Sequence, residues 1–566
     1  MSQQQVRIIT KSRKPLWAGV GIGVAAVAAI GVGIALVPKA AGPDTAAAQT
    51  TADIAEEDRF GGTLTYLDAE VIASGSVQNG TWQGSALTHN ITDRLVYANP
   101  ETGELEPWIA EKWDISEDGL EYVFTIKDGV TYSNGQELDA GSVQRNIEFQ
   151  AFGRPDEGIN PNQTYPAVES VTSDADARTV TVRLTEPFSP YIKILSNWAS
   201  SLVADDTLDG TAEEQQLITN TIGSGPFVVT SETYGEEIVL ESRDDYDWAP
   251  ESSEHQGPAY LDRIVWIPVL EDATRLGSLR AGEGDLIRYV QPSEEKPLEK
   301  DGFQVVGLQG TGQTNTWVLK QQVPVLQDER VRKAILSAID RRQIIDDLYT
   351  DNWTTASSIV TEDAFGFKDQ SDKLAFDPEA ANELLDEAGW TERDADGYRV
   401  KDGERLHIKT VIDVFDSTAP ALFQLVQWQL EQVGIELELT EVDYANVQTA
   451  YADPEVGVLR TGWPQADPWV TIRNAFDTAR SNTLALPQAD ATLNDLLNRQ
   501  TTVSGDERAE VVGELQDYVI DHALAFPIIT DTQIFALQPD VQGFGWTPEA
   551  RPVFYDTFTL DDAEKR

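Results

Sequence analysis

Leu406-His-Ile-Lys-Thr-Val-Ile-Asp-Val-Phe415 is followed by Pro420 to Val433, by Gly434, and by Ile435-Glu-Leu-Glu-Leu439. The outer two segments read as strands. Between them Leu422, Leu425, Val426 and Leu430 form one apolar stripe of a helix. Gly434 supplies the residue that ends such a helix. Strand, helix and strand in this order close as a crossover between parallel neighbours. The expectation is a mainly parallel sheet with helices on its faces, an α/β architecture. Ligands of such sheets sit beyond the carboxyl ends of the strands, often in a crevice between domains.

On either side of this unit the second half of the chain is helical. Asp328 is placed to cap a helix bearing Val331, Ile335, Ala338 and Ile339. Asp377-Pro378 opens another, with Leu384, Leu385 and Ala388 facing inward and Gly389 as its stop. Ser504 and Glu507 form a capping-box pattern ahead of Val511, Leu515 and Val519. The first half differs. Tyr122, Phe124 and Ile126 alternate, as do Val180, Val182 and Leu184, which is the period of a strand. Asp128-Gly129 and Asn134-Gly135 are turn dipeptides that flank a short Val-Thr-Tyr strand. The region from 96 to 221 is therefore hairpin-rich.

The 566 residues include 42 basic and 95 acidic side chains, a formal charge of −53. So acidic a surface repels phosphate backbones, which argues against a nucleic-acid partner. It suits a soluble body in a salty or crowded medium. There is no cysteine, which excludes disulfides, thiol nucleophiles, thiolate metal sites and a lipid-bearing cysteine. Arg7, Lys11, Arg13 and Lys14 precede an uncharged run, Leu16 to Val37. Its length suits a bilayer-spanning helix with the basic flank inside. Ala46-Ala47-Ala48 leaves signal-peptidase cleavage open as the alternative. Residues 1–39 are thus an anchor or signal segment, and 40–58 a flexible linker. Both readings place the body outside the cytoplasmic membrane.

Motifs of catalysis are missing. Four histidines, His89, His255, His407 and His522, show no metal-ligand spacing. Gly223-Ser-Gly225 lacks the spacing of a nucleophile elbow. Glu392 to Gly397 begins like a calcium loop, but Gly403 stands where the bidentate Glu is needed, so a hairpin turn is expected. No metal and no cofactor is expected. Trp82, Trp317 and Trp463 each sit among small or polar residues, a context in which an indole can stack on a ligand.

A longer pattern adds to these readings. Thr92 to Tyr97, Gly103 to Ser116, Asp118 to Val130 and Tyr132 to Ala140 follow one another in an order that resembles the oligopeptide-, dipeptide- and nickel-binding proteins of ABC importers. So do Ile222 to Phe227, Leu261 to Val265, Asp272 to Glu283, Asp328 to Arg341 and Leu384 to Trp390. The resemblance runs from about residue 60 to 560. It implies a two-lobed periplasmic-binding-protein-like fold with an additional inserted hairpin-rich domain. Lobe I would comprise 60–95, 222–310 and 530–560, the inserted domain 96–221, and lobe II 311–529. It further implies a receptor that closes over a small-molecule or short-peptide ligand and delivers it to permease subunits, acting as a monomer and not as an enzyme. Peptide-binding members use a Gly-Trp pair followed by an Asp that holds the ligand amine. Gly462-Trp463 matches the pair. Asp467 matches either that Asp or the Asp-Pro step beyond it, and the spacing leaves both open. Asn315, Trp317 and Trp82 fall where the resemblance places the cleft wall. An exported hydrolase for peptides or glycosides, and a scaffold or sensor without ligand, are the competing readings.

Overall fold

The structure is a computed structural model. It describes residues 54–77, 82, 84–413, 418–442, 444–462, 464–477 and 483–560. The N-terminal basic and uncharged stretches lie outside these residues, and so do Trp463 and Phe415.

Two large sheets dominate. The first has seven strands, in the spatial order Gln304–Gln309, Thr532–Leu537, Leu286–Arg288, Thr63–Asp68, Arg263–Pro268, Glu237–Ser242 and Phe227–Thr233. Its three central strands are parallel, with Tyr66 beside both Trp266 and Leu286. Glu237–Ser242 and Thr532–Leu537 flank them antiparallel, and the edge strands Phe227–Thr233 and Gln304–Gln309 pair antiparallel to these two. The second sheet has six strands: Thr354–Thr355, Ala525–Thr530, Asn315–Leu319, Val456–Thr461, His407–Asp413 and Glu436–Val442. The βαβ unit forms as expected, with helix Ala419–Val433 joining two strands in parallel register. The sheet as a whole is mixed, which corrects the mainly parallel expectation. Asn315–Leu319 enters from the first sheet, Ala525–Thr530 leads back to it, and both pair antiparallel to their neighbours.

A third, four-stranded antiparallel sheet takes Ala110–Ile115, Glu121–Ile126, Thr179–Leu184 and Val168–Asp174. The alternating residues Tyr122, Phe124, Ile126, Val180, Val182 and Leu184 are all buried. Helix Ala140–Phe152 lies against this sheet, with Gln144 donating to the Val171 carbonyl. The expected Val130–Tyr132 strand is only an isolated bridge, Thr131 to Glu137, because Gly129 and Gly135 turn the chain on both sides. Glu392–Arg393, Arg399–Lys401 and Glu404–Arg405 form a small meander, so the calcium-like stretch is a hairpin.

The cap signals hold in part. Asp328 and Asp377 accept from backbone N–H groups at their helix starts. Gly434 adopts φ +87° at the end of its helix. Ser504 is the N-cap of Gly505–Asp521, but its side chain makes no capping bond. The Val331 stripe passes the helix end at Ser337, where Ala338 and Ile339 stay buried in the turn.

There are two principal cores. One gathers the strands and helices around the six-stranded sheet, with Trp317 inside it. The other joins the seven-stranded sheet to the four-stranded one. Trp469 and Val470, which follow the second sheet's Thr461 strand, insert into this other core, Trp469 edge-on to Phe188 at 4.7 Å.

Candidate functional site: buried charges at the crossing between two sheets

Thr63–Asp68 and Leu286–Arg288 are parallel neighbours, so their carboxyl ends meet at one edge. Asp68 and Arg288 stand there with no exposed surface, and Glu70 follows two residues on. Arg288 Nε donates to Asp68 Oδ1 at 2.9 Å, and its Nη2 lies 2.7 Å from the same oxygen and 3.0 Å from Glu70 Oε2. Asp68 Oδ2 accepts the Trp266 indole N–H at 3.0 Å. Two carboxylates thus share one guanidinium. Tyr289 lies under Arg288, ring centroid to Cζ 4.6 Å, and holds φ +59°, a conformation that costs a non-glycine residue about 1–3 kcal/mol.

Three polar atoms in this group have no hydrogen-bond partner in the chain: the Tyr66 hydroxyl, Glu70 Oε1 and Arg288 Nη1. A buried polar atom left so costs roughly 1–3 kcal/mol. Burial pushes the Glu70 carboxyl up, against the pull of Arg288. Burial, then Asp68, pushes the Tyr66 hydroxyl well above its usual range.

A second wall comes from the loop after Trp546. Arg551 lies 4.1 Å over the half-buried Trp82 ring, and its Nη1 donates to Gln533 at 3.3 Å. Burial, reinforced by Arg288, brings Arg551 down to about 10. His89 is buried, with neither ring nitrogen bonded in the chain. Its pKa is held well below the ordinary value by burial first, then by Arg94 and Arg551. It is therefore a neutral donor and acceptor. Glu549, also buried, is raised by loss of solvent.

The chain crosses between the sheets at 310–314 and again at 531. Thr311 donates its N–H to the Pro548 carbonyl and accepts that of Gln465, both at 2.7 Å. Gly312 bridges Pro464 at φ +131°, and a Cβ there would meet the Gln465 nitrogen at 2.6 Å. Residues 464–467, beyond one sheet's Thr461 strand, are thereby laid beside the loop 547–551 of the other.

The five residues read from the sequence divide among these places. Trp82 belongs to the charged group. Trp317 has no exposed surface and stacks on Phe423 at 4.1 Å, so in this conformation no solute reaches its ring. Its indole N–H donates to Asn315 Oδ1 at 3.1 Å, while Asn315 Nδ2 donates to Asp531 Oδ1 at 2.9 Å. Together they brace the two crossing strands. Asp467 is 2% exposed, caps Pro468–Phe476, and receives Arg508 at 2.6 and 2.9 Å. A ligand amine would have to displace Arg508 from it. Trp463 lies outside the described residues, between the placed Gly462 and Pro464. The sequence reading missed Tyr66, Asp68, Glu70, Arg288 and Arg551. Its available signal was a charged residue at the end of a buried strand, as in Leu64 to Asp68 and Leu286 to Arg288. Among the described residues no cluster of three or more His, Asp or Glu is arranged to hold a metal.

Comparison with known proteins fits this geometry. The family model described as bacterial extracellular solute-binding proteins, family 5 Middle, matches residues 104–482. The glutathione-binding protein GsiB of Salmonella paratyphi A is 25% identical over 471 residues, covering 81% of this chain and 85% of that one. Heme-binding protein A of Haemophilus influenzae is 22% identical over 548 residues, covering 92% and 96%. Among solved structures, NikA from Brucella suis in complex with Fe(III)-EDTA superposes with a TM-score of 0.77 at 23% identity, covering 88% of this chain and 100% of that one. DppA from Helicobacter pylori in complex with the peptide STSA gives 0.71 at 23%, covering 89% and 99%. These neighbours have the two-lobed binding-protein fold, and the relatives are binding proteins for transport. The chain belongs to the bacterial extracellular solute-binding proteins of family 5, the solute-binding receptors of ABC importers.

Proposed function

We propose that this receptor captures a peptide-like or similarly sized polar solute between lobes built on the seven- and six-stranded sheets, and hands it to permease subunits as a monomer. The single observation that carries the reading is the group of enclosed polar atoms, Tyr66 hydroxyl, Glu70 Oε1 and Arg288 Nη1, on a sheet in which the Arg288 strand pairs with Thr532–Leu537, the strand that follows the crossing at 531. Enclosed polar atoms without partners are what a polar guest would satisfy. Glutathione and heme, for which two of the relatives are named, and the peptide STSA held by DppA are of the matching size class. Closure needs only that the guest bind the closed state more tightly than the open one. No bond is made or broken, in keeping with relatives that are binding proteins, and the assignment here is receptor and not enzyme.

The lobe boundaries proposed are 60–95, 222–310 and 530–560 for lobe I, and 311–529 for lobe II, with 96–221 inserted in the first. They follow the strand membership of the sheets. The uncharged run 16–37 behind its basic flank supports export, as anchor or as cleaved signal. Intact mass of the protein recovered from cells distinguishes the two.

Native mass spectrometry of freshly purified protein tests the receptor reading. A co-purifying small molecule, whose return to stripped protein changes Trp fluorescence, is expected. No bound molecule, and no fluorescence response to the cell's solute extract, would overturn it. Trp463→Ala is expected to weaken binding about tenfold or more while melting is unchanged. Undiminished affinity would remove Trp463 from the site.

A further inference from the structure

Asp68 and Glu70 both bond the guanidinium of Arg288, but they are not equivalent. Asp68 has its second oxygen on the Trp266 indole, whereas Glu70 Oε1 has no partner in the chain. The Tyr66 hydroxyl, also without a partner, belongs to the same group. The acidic residue of the other lobe that the sequence offered as an amine anchor, Asp467, is occupied by Arg508 and by the Trp469 N–H. Of these two carboxylates, one on each lobe, the one that keeps an enclosed oxygen without a partner is therefore Glu70, on lobe I. An ammonium has three donors and no acceptor, so it complements an acceptor pair of carboxylate and phenol oxygen.

We propose that Glu70, with Tyr66 beside it, is the anchor for a primary ammonium group on the solute. Arg288 Nη1, a donor, then takes the carbonyl or carboxylate oxygen next to that nitrogen. This deepens the receptor reading and rests on it. The charge pattern supports it. Asp68 has both oxygens engaged, by Arg288 and the Trp266 indole, whereas Glu70 offers one enclosed carboxylate oxygen to a cation. Burial raises the Glu70 carboxyl in the unliganded chain, which is the direction a cationic guest reverses.

The test uses thermal shift and fluorescence titration of the full chain with defined probes: the free amino acids, and a random tripeptide mixture with free ends, with acetylated N-termini, or with amidated C-termini. Free-ended and amidated tripeptides are expected to raise the melting temperature, and acetylated ones are not. Response to the free amino acids as well would assign the anchor to a single residue's head group. Glu70→Gln and Tyr66→Phe are expected to weaken binding of the free-ended mixture by about 10- to 100-fold, the range for a hydrogen bond to a charged group. The unliganded melting temperature of Tyr66→Phe should hold or rise, because an unpaired hydroxyl is removed, and that of Glu70→Gln should fall modestly, because Arg288 loses one of its two carboxylates and keeps Asp68. Equal response to acetylated tripeptides, or wild-type affinity in Glu70→Gln, would overturn the anchor. If no probe binds but the native spectrum shows a co-purified solute without a basic nitrogen, the anchor falls and the receptor reading stands. If neither shows a guest, both fall.

Discussion

His89 shows what one buried side chain does to the molecule's response to acid. In the folded state burial, Arg94 and Arg551 all disfavour its proton. The unfolded chain accepts that proton near pH 6.5. A base whose folded pKa is depressed contributes a loss of stability as pH falls below the unfolded value. The loss is up to about 1.4 kcal/mol per pH unit until the folded value is reached. Urea unfolding of wild type and His89→Gln at pH 7.5 and 5.5 measures it. The wild type should lose more stability than the variant between the two, and equal losses would show that His89 is not shut away from protons. Asp467 and Arg508 make the complementary case. The pair is buried and doubly bonded, so Arg508→Met should cost about 3–5 kcal/mol by leaving a carboxylate uncompensated. Asp467→Asn in the same background should recover part of it. Denaturant titration in which the single variant is as stable as the parent would contradict this.

At the scale of elements, the short Gly223-Ser-Gly225 segment explains a motif that had no chemistry to offer. A Cβ on Gly223 would lie 1.9 Å from the Ile91 carbonyl oxygen, and one on Gly225 2.5 Å from the Ile91 carbonyl carbon. The end of helix Ser85–Ile91 rests on these two glycines, and that helix carries His89. Gly223→Ala should therefore destabilise by about 3 kcal/mol, near the upper end for overpacking, and circular dichroism melting reads it. Elements such as these were legible because each obeys a local rule. The Tyr122 and Val180 alternations, the Asp328 and Asp377 caps and the Gly434 stop need no knowledge of distant neighbours. Sheet direction was not legible. Whether Asn315–Leu319 runs with or against Val456–Thr461 depends on how the chain crosses from the other sheet, and no periodicity encodes that. Of the residues read from the sequence, Trp82 is the one that stands with the candidate charged group, under Arg551. A tryptophan among polar neighbours marks a half-buried ring under a guanidinium in that case and a braced crossing in the case of Trp317, because Asn315 is polar to hold Asp531 and not a guest. Asp68, Glu70, Arg288 and Arg551 come from the first part, the middle and the last part of the chain, and only folding makes them one group.

Over the whole molecule the charge of −53 sets the conditions under which all of this operates. Exposed pairs such as Arg183 with Glu121 and Glu169 contribute little individually, about 0–1 kcal/mol. Self-repulsion among the unmatched carboxylates acts over the distance that salt controls. Raising sodium chloride from about 10 mM to about 0.5 M, which shortens the Debye length well below 10 Å, should raise the melting temperature by a few degrees. A melting temperature that falls over this range would mean that attractive pairs outweigh the repulsion.

At the largest scale the proposal is that two lobes, between which the chain crosses at 310–314 and 531, close on a small guest. Small-angle X-ray scattering of protein stripped of solute by unfolding and refolding, then given back the released solute, reads this directly. The radius of gyration should fall on addition of the solute, in step with the fluorescence change. Superimposable scattering curves from protein that native mass spectrometry shows to be loaded would contradict capture by closure.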